Sequence, residues 1–123
     1  MLNIAKKNLP DANFIKADIR DYQTDERFDI IFSFASLLHI EKIQLQIILS
    51  KISNLLNKEG ILILSLKYSE EYMEEIVNDE VWARFFYLYN PEIIKEISKN
   101  VLDIVSYEIK EINKRKWFEV ILK

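Results

Sequence analysis

The chain has 123 residues, 50% of them hydrophobic and 30% charged, and carries a net charge of −3, enough length and apolar content for one domain with a packed core. Its single Gly excludes a Gly-rich phosphate loop or dinucleotide fingerprint within this stretch. Zero Cys excludes disulfides, cysteine zinc sites and thiol catalysis, and a single His excludes a multi-histidine metal site.

In chain order, residues 1–9 read as a helix with Leu2, Ala5 and Leu9 on one face, broken by Pro10-Asp11-Ala12. Phe14–Ala17 is a strand-sized apolar run ending at Asp18. The polar stretch Asp18–Arg27 reads as a loop or short helix. Phe28–Phe34 (FDIIFSF) is nearly continuous apolar, which predicts a parallel strand buried on both faces.

The clearest helix follows. Leu45, Ile48, Leu49, Ile52, Leu55 and Leu56 recur at helical spacing, with Lys42, Gln44, Lys51 and Asn54 off that stripe. It is expected to stop at Asn57-Lys58-Glu59-Gly60, with Gly60 at positive φ. Ile61–Leu66 (ILILSL) predicts a second buried strand. Strand, helix and strand with short links make a right-handed βαβ unit.

Residues 68–89 read as irregular and partly helical, with Glu70, Glu71, Glu74 and Glu75 on a solvated helix face rather than in a metal site. The aromatic group Trp82, Phe85, Phe86, Tyr87 and Tyr89 comes next. Asn90-Pro91 is an N-cap followed by an N1 proline, opening a helix that runs through Lys99 and buries Ile93, Ile94 and Ile97. Val105, Tyr107 and Ile109 alternate with polar residues, Asn113–Arg115 is a polar turn, and Trp117–Leu122 is apolar, so an antiparallel hairpin closes the chain. One α/β domain is expected.

In this order the segments resemble the later part of a class I S-adenosylmethionine-dependent methyltransferase. MLNIAKKNLPDANFIKADI resembles that family's helix after the second strand and then its third strand. FDIIFSFASLLHI resembles the fourth strand and the segment after it. ISNLLNKEGILILSLK is similar to the helix, turn and fifth strand, a turn commonly written L-K-P-G-G. ARFFYLYNPEIIKEI, the strand around Ile104–Ile112 and WFEVIL resemble the closing helix and the sixth and seventh strands. The resemblance implies a Rossmann-like, mostly parallel α/β sheet with a C-terminal antiparallel hairpin, lacking the first two strands. The Gly-rich cofactor loop and the ribose-binding acid of such enzymes have no counterpart in residues 1–123. This reads as a truncated domain, expected by itself to bind S-adenosylmethionine weakly. Phe14–Ala17 then either pairs with Phe28–Phe34 or leaves an open edge.

The resemblance also implies a site. Asp18 would accept from the adenine amino group and Ile19 would offer its backbone amide and an apolar face, at the carboxyl end of a strand where open α/β sheets bind ligands. Phe34, Ala35 and Ser36 would lie against the sulfonium end of the cofactor. His39, the one imidazole, is the candidate general base. Tyr68, Arg84 and Tyr87 are the candidate acceptor-binding residues, Arg84 for an anionic group, while Trp82, Phe85 and Phe86 are assigned mainly to the core. The expected reaction is in-line methyl transfer to a small-molecule acceptor. The alternative is a non-catalytic homologue acting as a partner-binding or structural subunit.

The partners follow from charge and hydropathy. Lys114-Arg115-Lys116 is the one run of three basic residues, so nucleic acid is not an expected partner. Lys6, Lys7, Asn8 and Pro10 interrupt any early apolar run, and Asp29 and Lys67 bound the later ones, so neither a signal peptide nor a membrane span is expected. A cytoplasmic location is predicted. An open apolar edge invites a second copy of the chain or a complementing chain.

Overall fold

The computed structural model describes residues 2–78 and 81–123. Met1, Asp79 and Glu80, which fall within two of the predicted segments, lie outside the described residues. The elements are α1 (Leu2–Asn8), β1 (Phe28–Phe34), α2 (Lys42–Leu55), β2 (Leu56–Lys67), β3 (Met73–Asn78), β4 (Ala83–Leu88), α3 (Pro91–Ile97), β5 (Ile104–Ile112) and β6 (Arg115–Leu122).

Four strands form one sheet in the order β1-β2-β6-β5, and β3 and β4 form a separate hairpin. β1 and β2 are parallel, joined through α2, while β6 is antiparallel to both β2 and β5. Three strands therefore run one way and only β6 runs against them. The carboxyl ends of β1, β2 and β5 gather at the start of β6.

Alternation sets the two faces of the sheet. Leu62, Leu64 and Leu66 of β2 lie directly opposite Leu122, Val120 and Phe118 of β6, and all six are buried. Leu45, Ile48, Leu49 and Ile52 of α2, Ile94 and Ile97 of α3, and Phe86 and Leu88 of β4 complete that core. The other face is open. Ile30, Phe32 and Phe34 are 49%, 59% and 53% exposed, and the Phe32 and Phe34 rings lie 5.4 Å apart. β1 is thus not buried on both faces as its composition suggested: it is an edge strand, and α1 buries none of its residues.

Phe14–Ala17 forms no strand. A four-residue strand needs a ladder partner, and the free edge of β1 does not supply one here. The chain instead turns at Asp18, whose carbonyl oxygen accepts from the Asp21 and Tyr22 amides at 3.0 and 2.9 Å. It rests on the far end of α2, where Lys51 Nζ donates to the Arg20 carbonyl at 3.1 Å. The open edge is the outcome of the two expected.

Gly60 also departs from expectation. It has no positive φ and lies within β2, because α2 passes straight into extended backbone at Leu56 (φ −88, ψ 141). Between the pairs Phe28↔Leu56 and Ile30↔Ile61 the register slips, and β2 bulges. Asn57 Nδ2 donates to Asp29 Oδ1 at 2.8 Å across the bulge. A Cβ on Gly60 would sit 2.9 Å from the Phe28 carbonyl oxygen, so close backbone approach is what requires glycine.

The stretch predicted as partly helical holds the β3–β4 hairpin, paired from Met73↔Leu88 to Asn78↔Ala83. Ile76-Val77 and Phe85-Phe86-Tyr87 are strong strand formers, and their cross-strand pairing overrides the helix propensity of the glutamates. Only Phe86 of the three residues assigned to the core is buried, whereas Trp82 and Phe85 are 69% and 46% exposed. Glu74 and Glu75 lie on a strand, not a helix face, and Glu70 and Glu71 precede it in a bend. Among the described residues no helix is long and apolar enough to cross a membrane.

The closing elements follow the sequence reading. Asn90 caps α3 by accepting from the Ile93 amide at 2.9 Å, Pro91 stands at N1, and the helix ends at Ile97, two residues before the expected Lys99. Asn113 (φ 52) and Lys114 (φ 64) make the two-residue turn joining β5 to β6, a conformation suited to the twist of a hairpin.

Candidate functional site

β1 ends in a kinked turn. Ala35 takes φ 51, in the left-handed region that costs a non-glycine residue about 1–2 kcal/mol. Its amide still reaches the β2 ladder, donating to the Ser65 carbonyl at 3.2 Å, and the Ser33 and Ser36 hydroxyls meet at 2.7 Å. Leu37 and Leu38 then bury, anchoring the turn. Phe34 stays exposed on the open face. Ala35 and Ser36 are exposed at this turn, and their small side chains leave room for a ligand to approach it.

Ala35 borders a cavity of about 560 Å³ that runs along the open face past Lys67, Lys110, Arg115 and Trp117. Lys67 ends β2 with its side chain 11% exposed, and its ammonium lies 3.6 Å from the Phe86 ring centroid and 3.6 Å from Glu75 Oε1. Arg115 Nη2 donates to the same Glu75 oxygen. Burial, then the charge of Arg115, pushes the Lys67 pKa down, while the Arg115 hydrogen bond holds the Glu75 carboxyl below its ordinary value. Two cations thus share one carboxylate at the carboxyl end of the sheet. The sequence reading missed Lys67, Glu75, Arg115 and Trp117. The available signal was Lys67 itself, which directly follows ILILSL where strand ends carry function.

The predicted site residues fall into three groups. Phe34, Ala35 and Ser36 stand together at the end of β1. Arg84 and Tyr87 stand on β4 of the hairpin that covers the loop after β1, His39 bonds to that strand, and Tyr68 pairs with Tyr89 just beyond it. His39 Nδ1 donates to the Phe85 carbonyl at 2.6 Å, and the ring packs 4.6 Å from Phe86. In neutral His39 this leaves Nε2 without the proton. The Tyr87 amide donates to Leu38 at 2.9 Å, and its ring stacks on Tyr72 at 6.3 Å and 11°. Burial, then Glu74, raises the Tyr87 phenol pKa. Arg84 lies over the Phe86 ring at 5.7 Å. Tyr68 bridges Tyr89 and packs edge-on to Phe118 at 6.3 Å, beside a separate cavity of about 300 Å³.

Asp18 and Ile19 form the third group. Both Asp18 oxygens are held by the Arg20 guanidinium, the shortest contact being 2.7 Å, and the Arg20 amide adds a further bond at 2.9 Å. This fork lowers the Asp18 pKa to about 2. Ile19 lines a cavity of about 430 Å³ with Ile15, Tyr22 and Phe28, at the amino end of β1. Asp18 and Ile19 are therefore not brought to Phe34–Ser36: residues 13–18 join no strand ladder, and Ile19 shares its cavity with Phe28, at the opposite end of β1 from Phe34. Among the described residues no group of three or more metal-ligating side chains is clustered.

A family model described as a methyltransferase domain matches residues 2–117. The chain belongs to that family. The methyltransferase domain also resembles solved structures at low identity. An S-adenosylmethionine-dependent methyltransferase from Clostridium acetobutylicum superposes with a TM-score of 0.70 at 14% identity, over 98% of this chain and 68% of that one. The glycopeptide N-methyltransferase MtfA, in complex with S-adenosylmethionine, gives 0.70 at 15% identity, over 99% and 67%. The 1,6-didemethyltoxoflavin-N1-methyltransferase of Burkholderia thailandensis, with bound 1,6-didemethyltoxoflavin and S-adenosylhomocysteine, gives 0.77 at 14% identity, over 98% and 54%. The methyltransferase chain thus spans only about half to two-thirds of these proteins. No curated protein is similar enough in sequence to count as a relative. The family and the Rossmann-like α/β fold implied by the sequence are both borne out.

Proposed function

We propose that this domain serves methyl transfer from S-adenosylmethionine to a small-molecule acceptor, at the carboxyl ends of β1 and β2. The observation that carries this reading is the methyltransferase family match over residues 2–117. When bound, S-adenosylmethionine supplies an electrophilic methyl group on a sulfonium sulfur. The residues at the end of β1 fit that end of the cofactor: Ala35, in its kinked turn, is a small residue that borders a cavity. Phe34 and Ser36 flank it. Asp18 and Ile19 are the proposed adenine contacts, and the fit there is incomplete, since Arg20 occupies the Asp18 carboxylate and the pair lies at the other end of β1. Completing the site requires strands that run between β1 and residues 14–17 and carry the Gly-rich loop.

This chain's part in the chemistry is positioning. The Ala35 turn holds the methyl end, the β3–β4 hairpin closes over the loop after β1, and the 560 Å³ cavity receives the acceptor. His39 is the candidate base: its Nδ1–H is committed to the Phe85 carbonyl, which leaves Nε2 as the proton-accepting atom. Tyr68, Arg84 and Tyr87 are proposed to shape the acceptor end.

The test is amide mapping of the 15N-labelled chain, extended at its amino end by a family Gly-loop segment and titrated with S-adenosylhomocysteine. Shifts at Phe34, Ala35, Ser36 and Ile19 are expected. Binding that moves none of these amides would refute the placement, and no binding at all would favour the non-catalytic alternative.

A further inference from the structure

We infer that the acceptor of this domain is a planar anion, a carboxylate carried on an aromatic or conjugated ring, held between Lys67, Lys110 and Arg115 with its ring against Trp117. The inference rests on the methyl-transfer reading and names the substrate class of that site.

The cavity beside Ala35 is the starting observation. At about 560 Å³ it has the size of a small-molecule site, which typically falls at roughly 300–1,000 Å³. Its charged lining is three cations, Lys67, Lys110 and Arg115, against one carboxylate, Glu119. In a chain whose net charge is −3 this is a local reversal of sign. Two neighbouring carboxylates cancel that surplus over the cavity as a whole: Glu108 lies 3.6 Å from Lys110 Nζ, and Glu75 pairs with both Lys67 and Arg115, which leaves one unit of positive charge at the Lys67–Glu75–Arg115 group.

The balance at Lys67 and Arg115 decides the class. Two cations lean on one Glu75 oxygen, and Lys67 is withdrawn from solvent over the Phe86 ring. A guanidinium has five N–H donors and an ammonium three, so most of this donor capacity is left to a ligand. A carboxylate in the cavity gives the second cation its counter-charge and accepts a charge-assisted bond from each. A cationic acceptor would meet the surplus positive charge at this group as repulsion.

Shape supplies the rest. Trp117 is half-buried opposite Lys67 across the β2–β6 ladder and opposite Lys110 across the β5–β6 ladder. Its indole therefore stands between the two lysines, a flat wall with a cation on either side. Ala35 closes the end of the cavity nearest the proposed methyl position.

The experiment uses Trp117 as its own reporter. The chain holds two tryptophans, so Trp82→Phe leaves Trp117 alone. Benzoate, benzamide and benzylamine are titrated against its fluorescence. Benzoate is expected to bind at least roughly tenfold more tightly than either isostere, the effect of about one charge-assisted contact. Lys110→Met, at an exposed position outside the core, and Lys67→Met should each weaken benzoate by a similar factor. Glu75→Gln removes the competing carboxylate and should tighten it. Benzamide binding as well as benzoate, no response to any of the three, or insensitivity to Lys110→Met in a chain with unchanged circular dichroism would overturn the inference. Binding of S-adenosylhomocysteine, measured separately, distinguishes that outcome from failure of the methyl-transfer reading.

Discussion

Replacing Gly60 discriminates between two physical reasons for a lone glycine. Its φ is not positive, so left-handed backbone is not the reason. A Cβ there would meet the Phe28 carbonyl oxygen at 2.9 Å, the Asn57 carbonyl oxygen at 3.0 Å and the Asn57 nitrogen at 3.1 Å. All three are main-chain atoms of the β1–β2 bulge, which cannot swing aside as a flexible side chain does. Such overpacking costs about 1–3 kcal/mol, offset by about 0.4–1 kcal/mol because alanine restricts the unfolded chain. Gly60→Ala should therefore lose about 1–2 kcal/mol. For 123 residues, with about 2.1 cal/mol/K of unfolding entropy per residue, this lowers Tm by roughly 4–8 °C in a thermal melt followed by far-UV circular dichroism. Gly60→Asn separates the two accounts. Asparagine tolerates left-handed backbone and would rescue a positive-φ site, whereas at a crowded site it should be at least as damaging as alanine. An Asn variant more stable than the Ala variant would refute the crowding argument.

Asp18 should titrate with a midpoint of about 2 by carboxyl-carbon NMR, and Arg20→Met should return it to the ordinary carboxylate range. Because the folded-state pKa is depressed, the stability this pair contributes is complete above about pH 4 and is lost as pH falls toward 2. An Asp18 midpoint unchanged by Arg20→Met would contradict that assignment. Tyr89→Phe removes a buried hydroxyl that donates to the Ile40 carbonyl at 2.5 Å, and should cost about 1–3 kcal/mol in urea denaturation. A Tyr89→Phe chain as stable as its parent would show that the loop after β1 is held by other contacts.

What was legible in the sequence was whatever depends on a local period or a local hydrogen bond. The Leu45–Leu55 stripe, the ILILSL run, the Asn90-Pro91 cap and the polar turn at Asn113–Arg115 each carry their own instruction within a few residues. The β3–β4 hairpin was not legible, because Met73–Glu75 favours helix by itself and becomes strand only through its pairing with Phe86–Leu88. Phe14–Ala17 failed in the opposite direction: its apolar run suits a strand, but a strand forms only beside a partner. Gly60 follows a helix, where glycine usually serves as an exit, while its actual constraint comes from Phe28, remote in sequence. In the site, Ala35 was named through the family resemblance of FDIIFSFASLLHI, a segment that is continuous in sequence. The Lys67–Glu75–Arg115 group did not, since it joins three segments that only the folded sheet and hairpin bring together.

We propose that residues 1–123 carry the methyl-end half of an S-adenosylmethionine site and depend on a Gly-rich loop that is not among them. Calorimetric titration of S-adenosylhomocysteine into the 123-residue chain, and into the same chain extended by a family strand, Gly-loop, helix and second strand, tests it most directly. Little or no heat is expected from the chain alone, and saturable micromolar binding after extension, weakened when Ala35 is replaced by a bulky residue. Tight binding by the unextended chain, or an extended chain that binds equally well with Ala35 replaced, would contradict it.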